Sequence, residues 1–376
     1  MMKTFRFDEI AYNSTQKVKP TEADKEHYIG LEHIDGECLY ISRWGSDVAP
    51  IGEKLVMRKG DILFGKRRAY QRKVAIAPID GIFSAHGLVL RPKEDVVDKD
   101  YFPFFMSSNQ FLDRAVQISV GGLSPTINWK DLARQEFTLP SLSEQKVLAD
   151  KLWAAYRVKE SYKKLLAATD DMLKAKFIEM FGDPLDRTNT GRVKLGEICT
   201  INPRKDKKYE SDIKVSFFPM DKVFEDGRYS ELPIKTYHEV SKGFTYAEEG
   251  DVIFAKITPC MENGKGMILK NLASKIGFGS TEFHVLRPIE NISTAEYLYV
   301  LLSLPQFRIE AAKNMTGTGG QRRVPTSFLS DFYVLPPSIL LQREFAMIYT
   351  QAEATKESLR KSIENIDQVI KSLINQ

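Results

Sequence analysis

At 376 residues and 42.9 kDa, with 43% hydrophobic content, the chain is long enough to bury two cores of ordinary domain size. A net charge of +4 and a pI near 8.7 are too mild to indicate a nucleic-acid partner by themselves, so such a reading must rest on where the cations cluster. Cys38, Cys199 and Cys260 are odd in number with no CxxC pair, the N-terminus lacks the apolar core of a signal peptide, and no run approaches the roughly 18 apolar residues of a membrane span; together these argue against a disulfide scaffold, a structural zinc and a membrane protein, and for a cytoplasmic one.

In chain order, the first domain is expected over 1–140 and opens on FRFDEIA (from Phe5) and YIGLEHI (from Tyr28). KGDILFGKRRAYQRK (59–73) begins like a buried strand and ends as a loop carrying Lys66, Arg67, Arg68, Arg72 and Lys73, with Tyr70 and Gln71 among them. GDILF, KVAIA and HGLVL are short β-branched or aromatic runs bounded by Gly, Pro and Asp, as strands are. VLRP follows from Val89, then a glycine-rich loop, SVGGLSPTINW, with Gly121, Gly122 and Ser124, and a Leu-Pro junction in FTLPSLSEQ (from Phe137). A spacer helix is expected over 141–183. Ser141 and Glu144 form a capping box behind Pro140, and Gly182 with Pro184 ends the helix. Leu148, Leu152, Ala155, Tyr162, Leu166, Thr169, Leu173, Phe177 and Met180 make one stripe.

The second domain, 184–336, repeats these phrases in the same order. VKLGEIC (from Val193) lies 188 positions after its match, FFPMDKV (from Phe217) 189, GDVIFAK (from Gly250) 190 and VLRP (from Val285) 196, before YVLPPSILLQ (from Tyr333). Five phrases in register with slowly growing offsets are a tandem duplication with small insertions. The mixed-charge stretch NPRKDKKYESDIK (202–214) reads as a mobile surface loop. After the second GD strand, ITPCMENGKGMI offers Lys256, Thr258, Asn263 and Lys265, and the glycine-rich TGTGGQRRVP offers Thr318, Gly319, Gly320, Gln321, Arg322 and Arg323. A second helix is expected over 337–376, where Phe345, Ala352, Leu359, Ile366 and Leu373 lie seven apart and Tyr349, Ile363 and Ile370 supply the other seam position.

Helices of about 37 to 39 residues are rods of about 55 to 58 Å. Neither can bury a narrow stripe alone, so the two are expected to pair as an antiparallel coiled coil, through Leu148, Leu152, Leu166 and Leu173 on one side and Leu359, Ile363, Ile366 and Ile370 on the other, with the domains at opposite ends. A lone amphipathic helix would more readily pack on its own domain; duplication favours pairing. The fold class expected is α+β, with two tandem α/β domains each followed by a long helix.

Cations supply phosphate contacts, and Arg and Gln also make bidentate bonds to base edges in the major groove, so both basic loops and both glycine-rich loops suit double-stranded DNA. A basic loop taken alone is more often an ordinary solvated surface, and a glycine-rich turn taken alone is as often an ordinary turn. No catalytic site emerges. ENGKGM (262–267) lacks the upstream Gly and the hydroxyl residue of a phosphate loop, GFGSTE (277–282) fails a dinucleotide fingerprint, and His27, His33, His86, His238 and His284 show no metal or triad spacing; His86 aligns with Glu282 in the other copy. The Asn/Asp-Pro-Pro-aromatic motif of amino-methyltransferases and a nuclease set of carboxylates are absent from the sequence as well.

Tandem recognition domains, GDILFGK and GDVIFAK, the loops at Gly121 and Gly319, and LPSLSEQ and LPPSILLQ before long helices together resemble the specificity subunit of type I restriction-modification systems over essentially the whole chain. The second junction departs from that pattern, with Leu341 where Glu is usual and one extra residue. The resemblance implies a non-catalytic target-recognition subunit without cofactor or metal of its own. It would bind a bipartite, gapped DNA target whose spacer the helices set. It would dock two modification (methyltransferase) subunits that methylate adenine with S-adenosylmethionine, and be joined by ATP-dependent restriction subunits. Since the chain starts directly on its first domain at Phe5, no N-terminal segment is expected to complete the four-helix arrangement of circularly permuted members. Two other readings stand beside it: a recognition fragment of a single-chain methyltransferase-nuclease, against which the missing motifs count, and a coiled-coil scaffold with no DNA role, which leaves the matched basic loops unexplained.

Overall fold

The structure, a computed structural model, describes residues 2–184, 186, 188, 190–335 and 338–375. The chain divides into two units, Met1–Lys163 with Arg360–Gln376, and Lys164–Leu359, each holding one copy of the repeat. The expected domain limits at 1, 336, 337 and 376 lie outside the described residues.

The repeated GD phrases form the strands Ile62–Phe64 and Val252–Ala255, buried along their whole length. Their uninterrupted apolar run follows from burial on both faces: Ile62 and Phe64 share a core with Phe7, Phe105 and Phe111, while Leu63 shares another with Ile29, Phe83 and Val89. In the second unit Val252 and Phe254 separate from Ile253 and Ala255 in the same manner. Each strand lies inside a four-stranded antiparallel sheet, in the order Ala11–Ser14, Leu88–Pro92, Ile62–Phe64, Val74–Ile76 in the first unit and Cys199–Ile201, Phe283–Pro288, Val252–Ala255, Gly266–Ile268 in the second.

A second sheet in each unit keeps three equivalent strands and differs at its edge. Lys17–Val18 adds beside Lys54–Met57 in the first unit, whereas Ile234–Thr236 adds beside Lys214–Phe218 in the second. Two-stranded ribbons join the start of each domain to its end, Lys3–Arg6 with Glu136–Leu139 and Val193–Lys194 with Tyr333–Val334. That pairing explains why the first and last phrases of the repeat were both retained. Part of the stretch 202–214, expected to be a mobile loop, is instead anchored, because Tyr209 and Ile213 pack beside Val215 and Phe278 and the Tyr209 hydroxyl lies 3.2 Å from that of Tyr246.

The repeated polar letters have structural work in both copies. Asp61 accepts two bonds from Arg91, at 2.7 and 2.8 Å, and Asp251 accepts two from Arg287, both at 2.8 Å, so the Asp of GD and the Arg of VLRP clamp adjacent strands. The same carboxylates accept the backbone N–H of Arg58 and Glu248 across turns in which Gly60 and Gly250 adopt φ of +92° and +93°. Glu9 and Glu197 cap the first short helix of each domain through the N–H of Arg6 and Lys194. The fully buried Gln145 accepts from Asp98 N–H and donates to the Val96 carbonyl, and Gln342 does the same with Thr294 and Ile292, which ties the first turn of each long helix to its domain.

Those helices span Leu142–Phe181 and Ile339–Ile374, 40 and 36 residues, or about 60 and 54 Å. Ser141 and Glu144 close the expected capping box, with Ser141 N–H donating to the carboxylate at 2.9 Å and Gly182 ending the helix at φ +76°. At the divergent second junction, Ser338 takes over by accepting from Leu341 N–H. In the first unit Leu152 and Tyr156 share a core with Ile370, backed by Leu148, Ile366 and Leu373, and Lys159 bonds Asp367. In the second unit Leu173 and Phe177 share a core with Phe345, Tyr349 and Ala352, and Lys356 bonds Asp170 at 2.6 Å and Glu353 at 2.5 Å. Within each unit the start of one helix lies along the end of the other, so the pair is antiparallel, and both helices also pack on the domain cores. Leu359 is buried, while Leu166 and Ile363 are half-buried.

Lys159 and Lys356 occupy core positions of the heptad, only 8% and 3% exposed, so each depends on its carboxylate. Lys159→Met alone should destabilise the protein by about 1–3 kcal/mol, because it strips Asp367 of its cation, whereas the double change with Asp367→Leu should return to within about 1 kcal/mol of the parent. Urea unfolding followed by circular dichroism completes the cycle; additive single effects would show that the two side chains do not act as a pair.

Candidate nucleic-acid interface

In each unit the segment leaving the buried strand is stitched to the glycine-rich loop. Ile127 N–H donates to the Lys66 carbonyl at 3.0 Å, Arg68 N–H to the Pro125 carbonyl at 2.7 Å, and Arg67 forms a bridge pair with Thr126. In the second unit Val324 N–H donates to the Lys256 carbonyl at 2.9 Å, Thr258 N–H to the Arg322 carbonyl at 3.0 Å, and Ile257 bridges Arg323. The closing bridges Val120–Thr126 and Thr316–Arg323 are also equivalent positions of the repeat. Each glycine-rich loop turns on a glycine that only an unbranched backbone suits: Gly121 at φ +119° and Gly317 at φ +120°, where a Cβ at Gly317 would meet the Gln321 carbonyl at 2.9 Å.

The side chains divide into those that project and those that the domain uses itself. Arg67 and Arg68 converge on the Ser124 hydroxyl at 3.4 and 3.2 Å, and Tyr70, Gln71 and Gly122 are exposed. Arg72 turns away to Asn109 and Asp113, at 2.9 and 2.7 Å, and Lys73 donates to the Leu31 carbonyl at 2.6 Å. In the second unit Asn263, Thr318, Gly319, Gly320 and Gln321 are exposed, whereas Thr258 donates to Glu262 at 3.1 Å and Lys265 to the Met220 carbonyl at 3.1 Å. Arg322 stands 4.0 Å from Glu262, and Arg323 makes two 2.9 Å bonds to Glu282.

The two interfaces therefore differ in charge. Arg323 holds the Glu282 carboxyl below the usual range, and that carboxylate also faces Lys256. In the first unit the equivalent position is His86, whose pKa is pushed down by burial and then by Arg67, Lys66 and Lys54. Burial, then Lys17, lowers Lys66 as well. Among the described residues Lys66, Arg67 and Arg68 of the first interface make no ion pair, whereas the second is largely self-compensated. Composition could not reveal this, but the alignment of His86 with Glu282 carried the signal. Among the described residues no group of three or more His, Cys, Asp or Glu side chains is placed to hold a metal.

With this geometry in place, comparison with known proteins is direct. The family model for the type I restriction modification DNA specificity domain matches twice, over residues 5–168 and 189–368, and the chain belongs to this family. The specificity subunits of the type I restriction enzymes EcoEI and EcoAI from Escherichia coli are each 34% identical to it, over 188 and 186 residues; each match covers 48% of this chain and 31% of the relative. The matched region thus spans about a third of the length of those relatives. Two solved structures share the fold along nearly the whole chain. One is the type I restriction-modification S subunit from M. genitalium (TM-score 0.53, 14% identity, 100% of this chain and 95% of that one); the other is a chain from a structural study of assembly and conformational transition in the type I R-M system (TM-score 0.54, 18% identity, 99% and 96%).

His284 fastens the second interface from beneath. It is 2% exposed, with Nε2 2.8 Å from the Val324 carbonyl and Nδ1 3.1 Å from the Asn202 amide nitrogen. Burial is the largest cause of its pKa falling below the ordinary 6.5. Above about pH 6.5 the group is neutral folded or unfolded; below it the unfolded chain takes up a proton that the folded chain refuses, so stability falls with pH until the lowered value is reached, at no more than about 1.4 kcal/mol per pH unit. His284→Leu, the residue found at the equivalent Leu88, should have a shallower loss of melting temperature between pH 7.5 and 5 than the parent. Parallel profiles would place the charged form elsewhere.

Proposed function

We propose that this chain is the sequence-specific DNA-binding specificity subunit of a type I restriction-modification complex. It reads a bipartite, gapped duplex with one half-site per domain and docks modification subunits along its paired helices. The observation that supports this best is the equivalent stitching of two loops in both units, with side chains that diverge at their tips. A duplicated scaffold with diverged tips is what two different half-sites require.

On this reading Lys66, Arg67, Arg68, Tyr70 and Gln71 act with the Gly121–Ser124 loop at one half-site. Asn263, Gln321 and Arg322, with the Thr318–Gly320 turn, act at the other, and Lys256 supplies charge. The target adenine must leave the helix to be methylated, and that step, like cleavage, belongs to the partner subunits, in the cytoplasm where the DNA is. Two modification subunits and, where present, ATP-dependent restriction subunits complete the assembly.

Methylome sequencing of cells with and without the chain should reveal a gapped adenine motif that depends on it; identical methylomes alongside intact modification subunits would refute the reading. Arg67→Ala and Arg68→Ala should weaken binding to duplex carrying the first half-site by about 1–3 kcal/mol for whichever residue reads a base, leaving the second half-site preference intact. Adding two turns to both long helices should alter the gap length of the methylated motif and neither half.

A further inference from the structure

Beside the basic loop of the first unit lies a cavity of about 170 Å3, lined by Asn13, Ser14, Thr15, Lys17, Lys66 and Asn128 over a floor that includes Leu88 and Ile127. A water molecule occupies about 30 Å3, so the space admits a group of several heavy atoms. Among the described residues none bonds the side chains of Asn13, Ser14, Thr15 or Asn128, and none pairs with Lys66. Asn13 and Ser14 are half-buried and Thr15 and Asn128 exposed, so these groups face water and are open to a ligand. Here they surround a half-buried ammonium whose charged neighbours are cations. Lys17 is the closest influence on it, and Arg67 and Lys54 crowd the adjoining His86. Lys17 itself pairs with Glu53 at 3.2 Å, and among the described residues Lys66 makes no ion pair.

The second copy shows what the same place looks like when closed. Asn202, at the position of Ser14, spends its amide on His284 and on the Thr326 hydroxyl, at 3.1 and 3.4 Å, and its carbonyl oxygen on Val285 N–H at 3.0 Å. His284 stands where the first copy has Leu88, and Glu282 supplies the negative charge that Lys66 lacks. The polar groups of the second site thus satisfy one another, while those of the first face water and can meet a ligand that is anionic and accepts several hydrogen bonds.

We propose that this cavity is a phosphate seat, with Lys66 as its charge partner and Ser14, Thr15, Asn13 and Asn128 as hydrogen-bond donors. Building on the DNA-recognition reading above, its occupant is one backbone phosphodiester of the duplex bound by the first domain. A seated phosphate neutralises the cation, satisfies the idle donors and fixes the register of the Arg67–Arg68 loop on the helix without reading sequence.

The test uses the full chain and lysine acylation followed by mass spectrometry, with inorganic phosphate and duplex DNA as separate probes. Both should slow acylation of Lys66 several-fold relative to Lys59, and Lys256 should respond less to phosphate. In salt titrations of duplex binding, Lys66→Met should reduce the slope of log affinity against log salt by about 0.9, the share of one phosphate, equally for all sequences, and Lys66→Arg should restore it. Circular dichroism confirms that the variants fold. Lys66 acylation indifferent to phosphate, or a Lys66→Met slope equal to the parent's, overturns the seat. Protection by phosphate in a parent chain that binds no duplex upholds the seat and overturns the DNA reading; protection by phosphate but not by a duplex that does bind overturns the assignment of the occupant.

Discussion

Two lysines sit where a helix pair ordinarily places leucine, and the pairing depends on what faces them. Lys159 meets Asp367 and Lys356 meets Asp170, and both the lysines and the aspartates are separated by 197 positions, so one ancestral pair is present twice. Apolar seams tolerate sliding because one methyl group resembles the next. A buried ammonium does not, since any shift by a heptad would part both interhelical pairs at once and leave Lys159 buried without its carboxylate. Register, rather than strength of association, is what these contacts secure. From register follows which turns of each helix reach a domain core and which remain outside.

Within the domains the same division between fixed and free recurs at smaller scale. The Asp–Arg clamp, the glutamine under each junction and the glutamate caps use side chains in identical places in both copies. The segments they position have diverged in charge, size and internal bonding. His86 against Glu282 is the sharpest contrast, because one exchange leaves the first interface open to an anion and lets the second pair its arginine internally.

Duplication made much of this legible in advance. The long helices, the cap of the first and the four loops were readable, most of them because they appeared twice at a nearly constant offset, and the heptad of Phe345 to Leu373 needed no partner to be recognised, whereas the Ser338 cap of the divergent second junction was not foreseen. What escaped was anything whose meaning lies in a remote contact. Gln145, Lys159 and Lys356 fall on the seam but were passed over as polar, since their partners stand tens to hundreds of residues away. Arg72 and Lys73 looked as free as Arg67 until Asp113 and the Leu31 carbonyl claimed them. The Tyr209 anchor hid among charges for the same reason. Periodicity locates elements, but only the folded chain decides which cations are spare.

The core around Phe7 and Phe111 also contains Ile370, with Ile366, Leu373 and Ile374 against it. The first unit, built mainly on Met1–Lys163, is thus completed by Arg360–Gln376, a segment translated only after all of Lys164–Leu359. Until that segment emerges, the face it covers has no cover from the intervening unit, so losing the turns after Arg360 would injure the first unit rather than the second, which lies nearer in sequence.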